Sequence, residues 1–206
     1  MGAPKRPWGW HELDPRWARI LVRDARIEPG AWVVDVGAGT GALTGPLLDA
    51  GARVIAVEAH PGRADLLRRR FGREVIVVQA DAADLRLPRR PYCVVANPPF
   101  ALTSPLLRRL LQPGSRLVRA RIVLQREAAE RWAGPAAPGR GRWGRRFFVA
   151  AGRAVPAAAF RPRPDVAAQI LCVDRLDGLS DLRGQQPRPG RAAPAQAGRS
   201  PRSRAR

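Results

Sequence analysis

Lysine is all but absent from this chain of 206 residues: Lys5 is the single lysine, and arginine supplies the rest of its 37 basic residues. Acid is short too, with 17 Asp and Glu, so the formal net charge is +20 and the isoelectric point about 11.9. Arginine presents a planar fork that grips phosphate in a bidentate way, so this imbalance predicts a nucleic-acid partner. A GC-rich coding sequence also inflates arginine, and composition alone leaves that alternative open. Cysteine is scarce. Cys93 and Cys172 lie apart on apolar stretches without a Cys or His partner at metal spacing, which argues against a metal site and predicts buried, reduced thiols. No apolar run approaches the roughly 18 residues that a membrane span requires. The amino terminus lacks a signal-peptide core, so a cytoplasmic protein without a membrane partner is expected.

The length suits one domain with loose ends. Residues 1–9 are basic and rich in Pro and Gly and read as a flexible arm. Residues 10–176 hold the periodic apolar segments, and 177–206 read as a disordered Arg/Pro-rich tail, with seven arginines and no acid from Arg183 onward.

Within the domain, apolar runs end repeatedly on polar residues. Trp32 to Val36 reads as a buried strand and opens into Gly37-Ala38-Gly39-Thr40-Gly41, followed by a helical pattern at Leu43, Leu47 and Leu48. Such a bend lets backbone N–H groups approach a ligand, although a tight turn without a ligand has the same look. The next strand, from Arg53, ends in Glu58, where a carboxylate can accept two ribose hydroxyls. Glu74 to Val78 leads to Asp81, placed to take an adenine amino group with the Ala82 N–H beside it, or to cap a helix. A fourth strand ends in Asn97-Pro98-Pro99-Phe100. Prolines there stop the ladder and stiffen the corner, bringing Asn97, the Pro98 carbonyl and the Phe100 ring together. Two oxygen acceptors beside a stacking ring suit alkylation of an exocyclic amino group, whose lone pair is delocalised into its base. A plain Pro-Pro turn is the alternative. Four ligand candidates on one sheet edge favour an α/β, doubly wound fold with a ligand at its carboxyl edge.

Elsewhere, Trp10, Trp17, Ile20, Leu21 and Ala25 recur at helical spacing, with Asp14 and Pro15 as cap and first turn. Pro61 to Phe71 and the leucines after Ser104-Pro105 predict two more helices. Arg116 to Leu124 reads as a strand and Gln125 to Trp132 as a short helix. Residues 134–146 read as a flexible basic loop, and Phe147–Val149, Ala154–Ala158 and Ala167–Val173 as closing strands.

The glycine motif, Glu58, Asp81, Asn97-Pro98-Pro99-Phe100 and Phe160-Arg161-Pro162-Arg163-Pro164-Asp165-Val166, in this order, resemble one family. It is the rRNA adenine N6-methyltransferases, which comprise the Erm macrolide-resistance enzymes and the ribosomal dimethyladenosine transferases. The opening Trp8-Gly9-Trp10-His11 looks most like actinobacterial Erm-type proteins. The resemblance implies a class I S-adenosylmethionine-dependent methyltransferase, Rossmann-like, with a mostly parallel seven-stranded sheet and a terminal antiparallel hairpin. It implies that Gly37, Gly39 and Gly41 pass beneath the methionine part of S-adenosyl-L-methionine, that Glu58 holds its ribose and Asp81 its adenine. It makes Asn97, Pro98 and Phe100 the catalytic corner for the acceptor base. Family members open with a Gln-Asn-Phe-Leu-like segment over the donor; Gly9-Trp10-His11-Glu12 falls in that place and puts Trp10 and Glu12 at the donor. Members also carry a small helical domain after the last strand, for which the residues after about 176 are too few and too polar.

The resulting expectation is a monomeric enzyme that needs no metal and methylates N6 of an adenine in 23S rRNA, flipped or single-stranded near a hairpin. Macrolide-lincosamide-streptogramin resistance would follow. The alternatives are another rRNA site, DNA, or a non-catalytic basic RNA-binding protein.

Overall fold

The computed structural model describes residues 11–81 and 84–176. The expectations placed on Trp10, Ala82, the arm at 1–9 and the tail at 177–206 lie outside the described residues.

A two-residue strand, β1 (Glu12–Leu13), precedes α1 (Pro15–Ala25). Asp14 caps the helix, its side chain accepting from the Arg16 N–H at 2.8 Å, and Pro15 occupies the first turn, where a missing N–H costs nothing. The helical spacing therefore begins after Asp14. Ala18, Leu21, Val22 and Ala25 form its buried face. Then follow β2 (Trp32–Val36), α2 (Thr44–Asp49), β3 (Arg53–Glu58), α3 (Pro61–Phe71), β4 (Val75–Gln79) and β5 (Tyr92–Ala96). The second half holds α4 (Thr103–Leu110), β6 (Leu117–Gln125), α5 (Arg126–Ala133), α6 (Arg140–Trp143), β7 (Phe147–Val155), β8 (Phe160–Arg161) and β9 (Ala168–Arg175).

Seven strands form one sheet in the order β4-β3-β2-β5-β6-β9-β7. The first five run parallel, and β9 runs antiparallel to both β6 and β7. Valines and alanines fill β2 and β5 on both faces because helices cover both, which divides the core into two layers. Chain order grows outward from β2 to β4 and then returns to β5 on the other side of β2. The reversal opens a crevice at the carboxyl ends of β2 and β5, and this is where the glycine turn and the Asn97 corner meet.

Two expectations need correction. Phe147–Val149 and Ala154–Ala158 are not two separate strands; one strand, β7, runs from Phe147 to Val155 with a register shift between Ala151 and Ala154, and Ala157–Ala159 form a 3-10 turn. Gly152 sits at that bulge, where a Cβ would lie 2.8 Å from Cys172 Sγ, and Pro156 follows the end of β7, where a residue without an N–H cannot extend the ladder. Residues 134–146 are not a loose loop either. Trp143 is buried, stacks on Trp132 at 6.5 Å between ring centroids, and donates its indole N–H to the Pro138 carbonyl at 3.0 Å. Arg140, Arg142 and Arg145 remain exposed on that packed turn. Composition marked the segment as basic, but the two-tryptophan contact that orders it joins residues eleven apart, invisible to local pattern.

Candidate active site

The glycine turn follows directly from β2. Gly37 has φ 73 and Gly41 φ 94, a region that side chains other than glycine rarely enter. The Gly37 and Ala38 N–H groups both donate to the Val57 carbonyl of β3, at 2.8 and 3.0 Å. A Cβ on Gly37 would lie 3.2 Å from Pro98 Cα, so the turn and the corner after β5 touch. Gly41 serves packing: a Cβ there would come within 2.6 Å of the Phe71 ring.

Glu58 is buried at the end of β3. Its Oε2 accepts from the Gly39 N–H at 2.9 Å, and Oε1 accepts from the His60 N–H at 2.8 Å and from the Arg63 guanidinium at 2.9 and 3.1 Å. The carboxylate thus props the glycine turn from the side, with Arg63 balancing its charge. Asp81 is exposed beyond β4, and its carbonyl accepts from the Asp84 N–H at 3.0 Å. It stands at the far strand of this edge, whereas Gly37, Asn97 and Pro98 converge at the crevice.

The corner itself is half-buried. Pro98 is buried, while Asn97 and Phe100 are partly accessible. Asn97 donates its side-chain amide to the His11 carbonyl at 2.8 Å. The His11 ring stacks on Phe100 with centroids 6.0 Å apart and planes at 27°, and its Nδ1 donates to the Pro162 carbonyl at 2.8 Å. Glu12 accepts from the Thr40 hydroxyl. β1 pairs with β8, Glu12 opposite Arg161 and Leu13 opposite Phe160. The Phe160-to-Val166 run is therefore the strap that clamps the amino-terminal segment over the crevice.

Three contributors were not among the sequence-predicted site residues: His11, Thr40 and Asp35. Asp35 is 1 % exposed inside β2; Oδ2 accepts from the Thr44 hydroxyl at 2.8 Å, and Oδ1 has no hydrogen-bond partner. Burial pushes its pKa up to about 7, the Thr44 hydrogen bond opposing the shift and the Glu58 charge adding to it. A lone acid within an apolar strand was the available signal. His11 and Thr40 stood inside the opening and glycine motifs, but each acts through a fold-made contact that the motif does not show. Cys93 is buried, and burial pushes its thiol up to about 11, consistent with an inert sulfhydryl.

Comparison with known proteins settles the lineage. Residues 12–178 match the family described as ribosomal RNA adenine dimethylase. The chain belongs to that family. It is 36% identical over 187 residues to the ribosomal RNA small subunit methyltransferase A of Synechococcus sp. (strain JA-3-3Ab), covering 83% of this chain and 67% of the relative. It is 35% identical over 147 residues to the rRNA adenine N-6-methyltransferase of Corynebacterium diphtheriae, covering 70% of this chain and 58% of that protein. The structure resembles 23S rRNA methyltransferase ErmE with a TM-score of 0.69 and 28% identity, over 83% of this chain and 74% of that one. The chain spans 67% and 66% of the first two small-subunit relatives. The fold is that of the class I S-adenosylmethionine-dependent methyltransferases, and this is a family of enzymes.

The residues lining this crevice suit the cationic groups of the methyl donor of the fold. His11, Glu12, Asp35, Gly37, Thr40 and Asn97 all line it. A buried carboxyl oxygen without a partner is costly, and a cation offsets that cost. S-adenosylmethionine carries two cationic groups, a sulfonium and an ammonium. The residues that would hold it are the 37–41 turn with Asp35 beneath, Glu58 and Asp81 at the flanking strand ends, and Glu12 above.

Proposed function

We propose that this chain methylates N6 of an adenine in ribosomal RNA, with S-adenosylmethionine as donor. The observation that carries the reading is the contact of the Gly37 turn with Pro98, which sets a donor-type turn against an amino-group corner. Bound there, the donor supplies a methyl group on a sulfonium. The chain's residues position the acceptor: Asn97 Oδ1 and the Pro98 carbonyl accept the two N–H bonds of the adenine amino group, and Phe100 stacks on the base. The Asn97 amide nitrogen is engaged by the His11 carbonyl, which leaves Oδ1 for the amino group. Holding the nitrogen by its protons exposes its lone pair to the methyl group, and a proton leaves to solvent after transfer.

Of the ribosomal RNAs, the Trp8-Gly9-Trp10-His11 opening favours 23S rRNA, where a methylated adenine would weaken macrolide-lincosamide-streptogramin binding, with the enzyme acting as a cytoplasmic monomer. The small-subunit names of several relatives support 16S rRNA as the second reading. Labelled-methyl transfer to purified 23S and 16S rRNA, followed by primer extension, tests both. Label on a 23S adenine is expected; label confined to 16S retires the first target, and label on neither sinks the activity.

A further inference from the structure

A second concavity, of about 740 Å³, opens away from the crevice, between the carboxyl end of α1 and strands β6, β7 and β9. It lies lower on the sheet. Arg119 is level with Cys93, four residues before Asn97, and parallel strands rise about 3.3 Å per residue, so some 13 Å of sheet separate the two levels. Arg119, Arg121, Arg23, Arg26, Arg153 and Arg175 line it, and among the described residues its carboxylates are Asp24 and Asp174.

The floor is rigid. Arg121 meets both Asp174 oxygens at 3.1 and 3.0 Å and donates to the Ala120 and Val173 carbonyls at 2.8 and 3.1 Å. Arg119 donates to the Ala25 and Arg26 carbonyls at 3.0 Å each, satisfying the end of α1, and to Asp174 at 2.8 Å. These groups are committed to structure. The rim differs. Arg23, Arg26 and Arg153 are exposed, and among the described residues Asp24 is the carboxylate paired with them, 3.7 Å from Arg23 and 3.6 Å from Arg153. The Arg26 guanidinium has no ion-pair partner among the described residues. Six guanidinium groups against two carboxylates leave a positive excess in a concave site, and walls of low dielectric focus that field.

We propose that this groove docks the phosphodiester backbone of the substrate RNA, at nucleotides outside the element that carries the methylated adenine. The claim rests on the rRNA reading above and adds a second point of contact, well removed from the crevice. Phosphate is the fitting occupant because the rim offers forked donors, while the apolar Val118 and Cys172 lie on the strands of the floor. On this proposal an RNA filling both sites extends past the target hairpin, so substrate preference should grow with fragment length.

Charge reversal of two rim residues in the full chain, Arg26→Glu with Arg153→Glu, tests this. Both are exposed, and the Arg119–Arg121–Asp174 floor stays intact. Equilibrium binding is measured across a salt series to a short hairpin bearing the target and to a long fragment of the same rRNA domain. For the long fragment, the slope of log affinity against log salt should flatten by about 1.4–1.8 units, at roughly 0.7–0.9 for each of two lost phosphate contacts. Hairpin affinity, donor affinity and melting temperature should stay at the parent's values. An unchanged slope for the long fragment overturns the proposal. So does competition by polyglutamate that the double variant abolishes while the RNA slope stands, since the groove would then serve an acidic protein. Binding is read without methyl transfer, so loss of the proposed activity leaves this readout intact.

Discussion

Asn97 is held by its nitrogen and open at its oxygen, and that asymmetry makes it the residue to test first. Asn97→Ala removes one of the two acceptors of the amino group, a loss on the order of 3 kcal/mol in the transition state. Single-turnover methyl transfer should fall by about a hundredfold or more, with donor affinity by calorimetry little altered; turnover equal to the parent's refutes the assignment. His11 poses the opposite case, because its ring covers the Phe100 face that the base would use. A stacked ring pair contributes roughly 0.5–1.5 kcal/mol, so His11→Ala should lower the RNA KM several-fold at constant kcat. A raised KM would instead make His11 a wall of the base site. Asp35 concerns stability. An acid whose pKa rises on folding binds its proton more tightly in the folded chain, so stability present at low pH is lost as pH climbs through the window from 3.8 to about 7. At about 1.4 kcal/mol per unit the loss is on the order of 4 kcal/mol at alkaline pH. Asp35→Asn should flatten the melting-temperature profile across that window and melt higher than the parent at pH 8. A profile parallel to the parent's would show that Asp35 does not titrate on unfolding.

At the scale of elements, the glycine turn joins two duties that its sequence does not separate. Gly37 lets the backbone approach Pro98, which concerns the site, whereas Gly41 makes room for the Phe71 ring of α3, which concerns packing. Gly41→Ala adds a Cβ at 2.6 Å from that ring and at φ 94. Overpacking and backbone strain together should destabilise the fold by about 2–4 kcal/mol, seen as a lower denaturant midpoint. A midpoint within error of the parent's would show that α3 yields to the added methyl group. The strap offers a similar lesson. Phe160 to Val166 suggested family by its prolines, and the fold uses it to pair β8 with β1 and to receive the His11 ring.

For the whole molecule, the charge of +20 is the dominant fact. Deleting Arg183 to Arg206 removes seven positive charges and no acid. If those charges act on phosphate, rRNA affinity should drop and its salt slope flatten by nearly one unit per lost contact, while core melting is unchanged. An unaltered slope with a lowered melting temperature would assign the segment to the fold.

Much of this protein is determined locally. Apolar strands that end in glycine, acid or Asn-Pro-Pro-Phe stand in the order of a doubly wound sheet, and each signal lies within a few residues, so the parallel core and the donor and acceptor candidates were legible. Asp14 with Pro15 and Pro61 with Gly72 marked helix ends for the same reason. Contacts between distant positions were decided by tertiary structure alone. His11 reaches Phe100 and Pro162, Thr40 reaches Glu12, and Gly39 binds Glu58 only after β1, β8 and the sheet have assembled. The Trp132–Trp143 stack orders a stretch whose composition suggested mobility. Hydrophobic period and turn chemistry are written along the chain, whereas a side chain's partner across 86 or 151 residues depends on how the layers close.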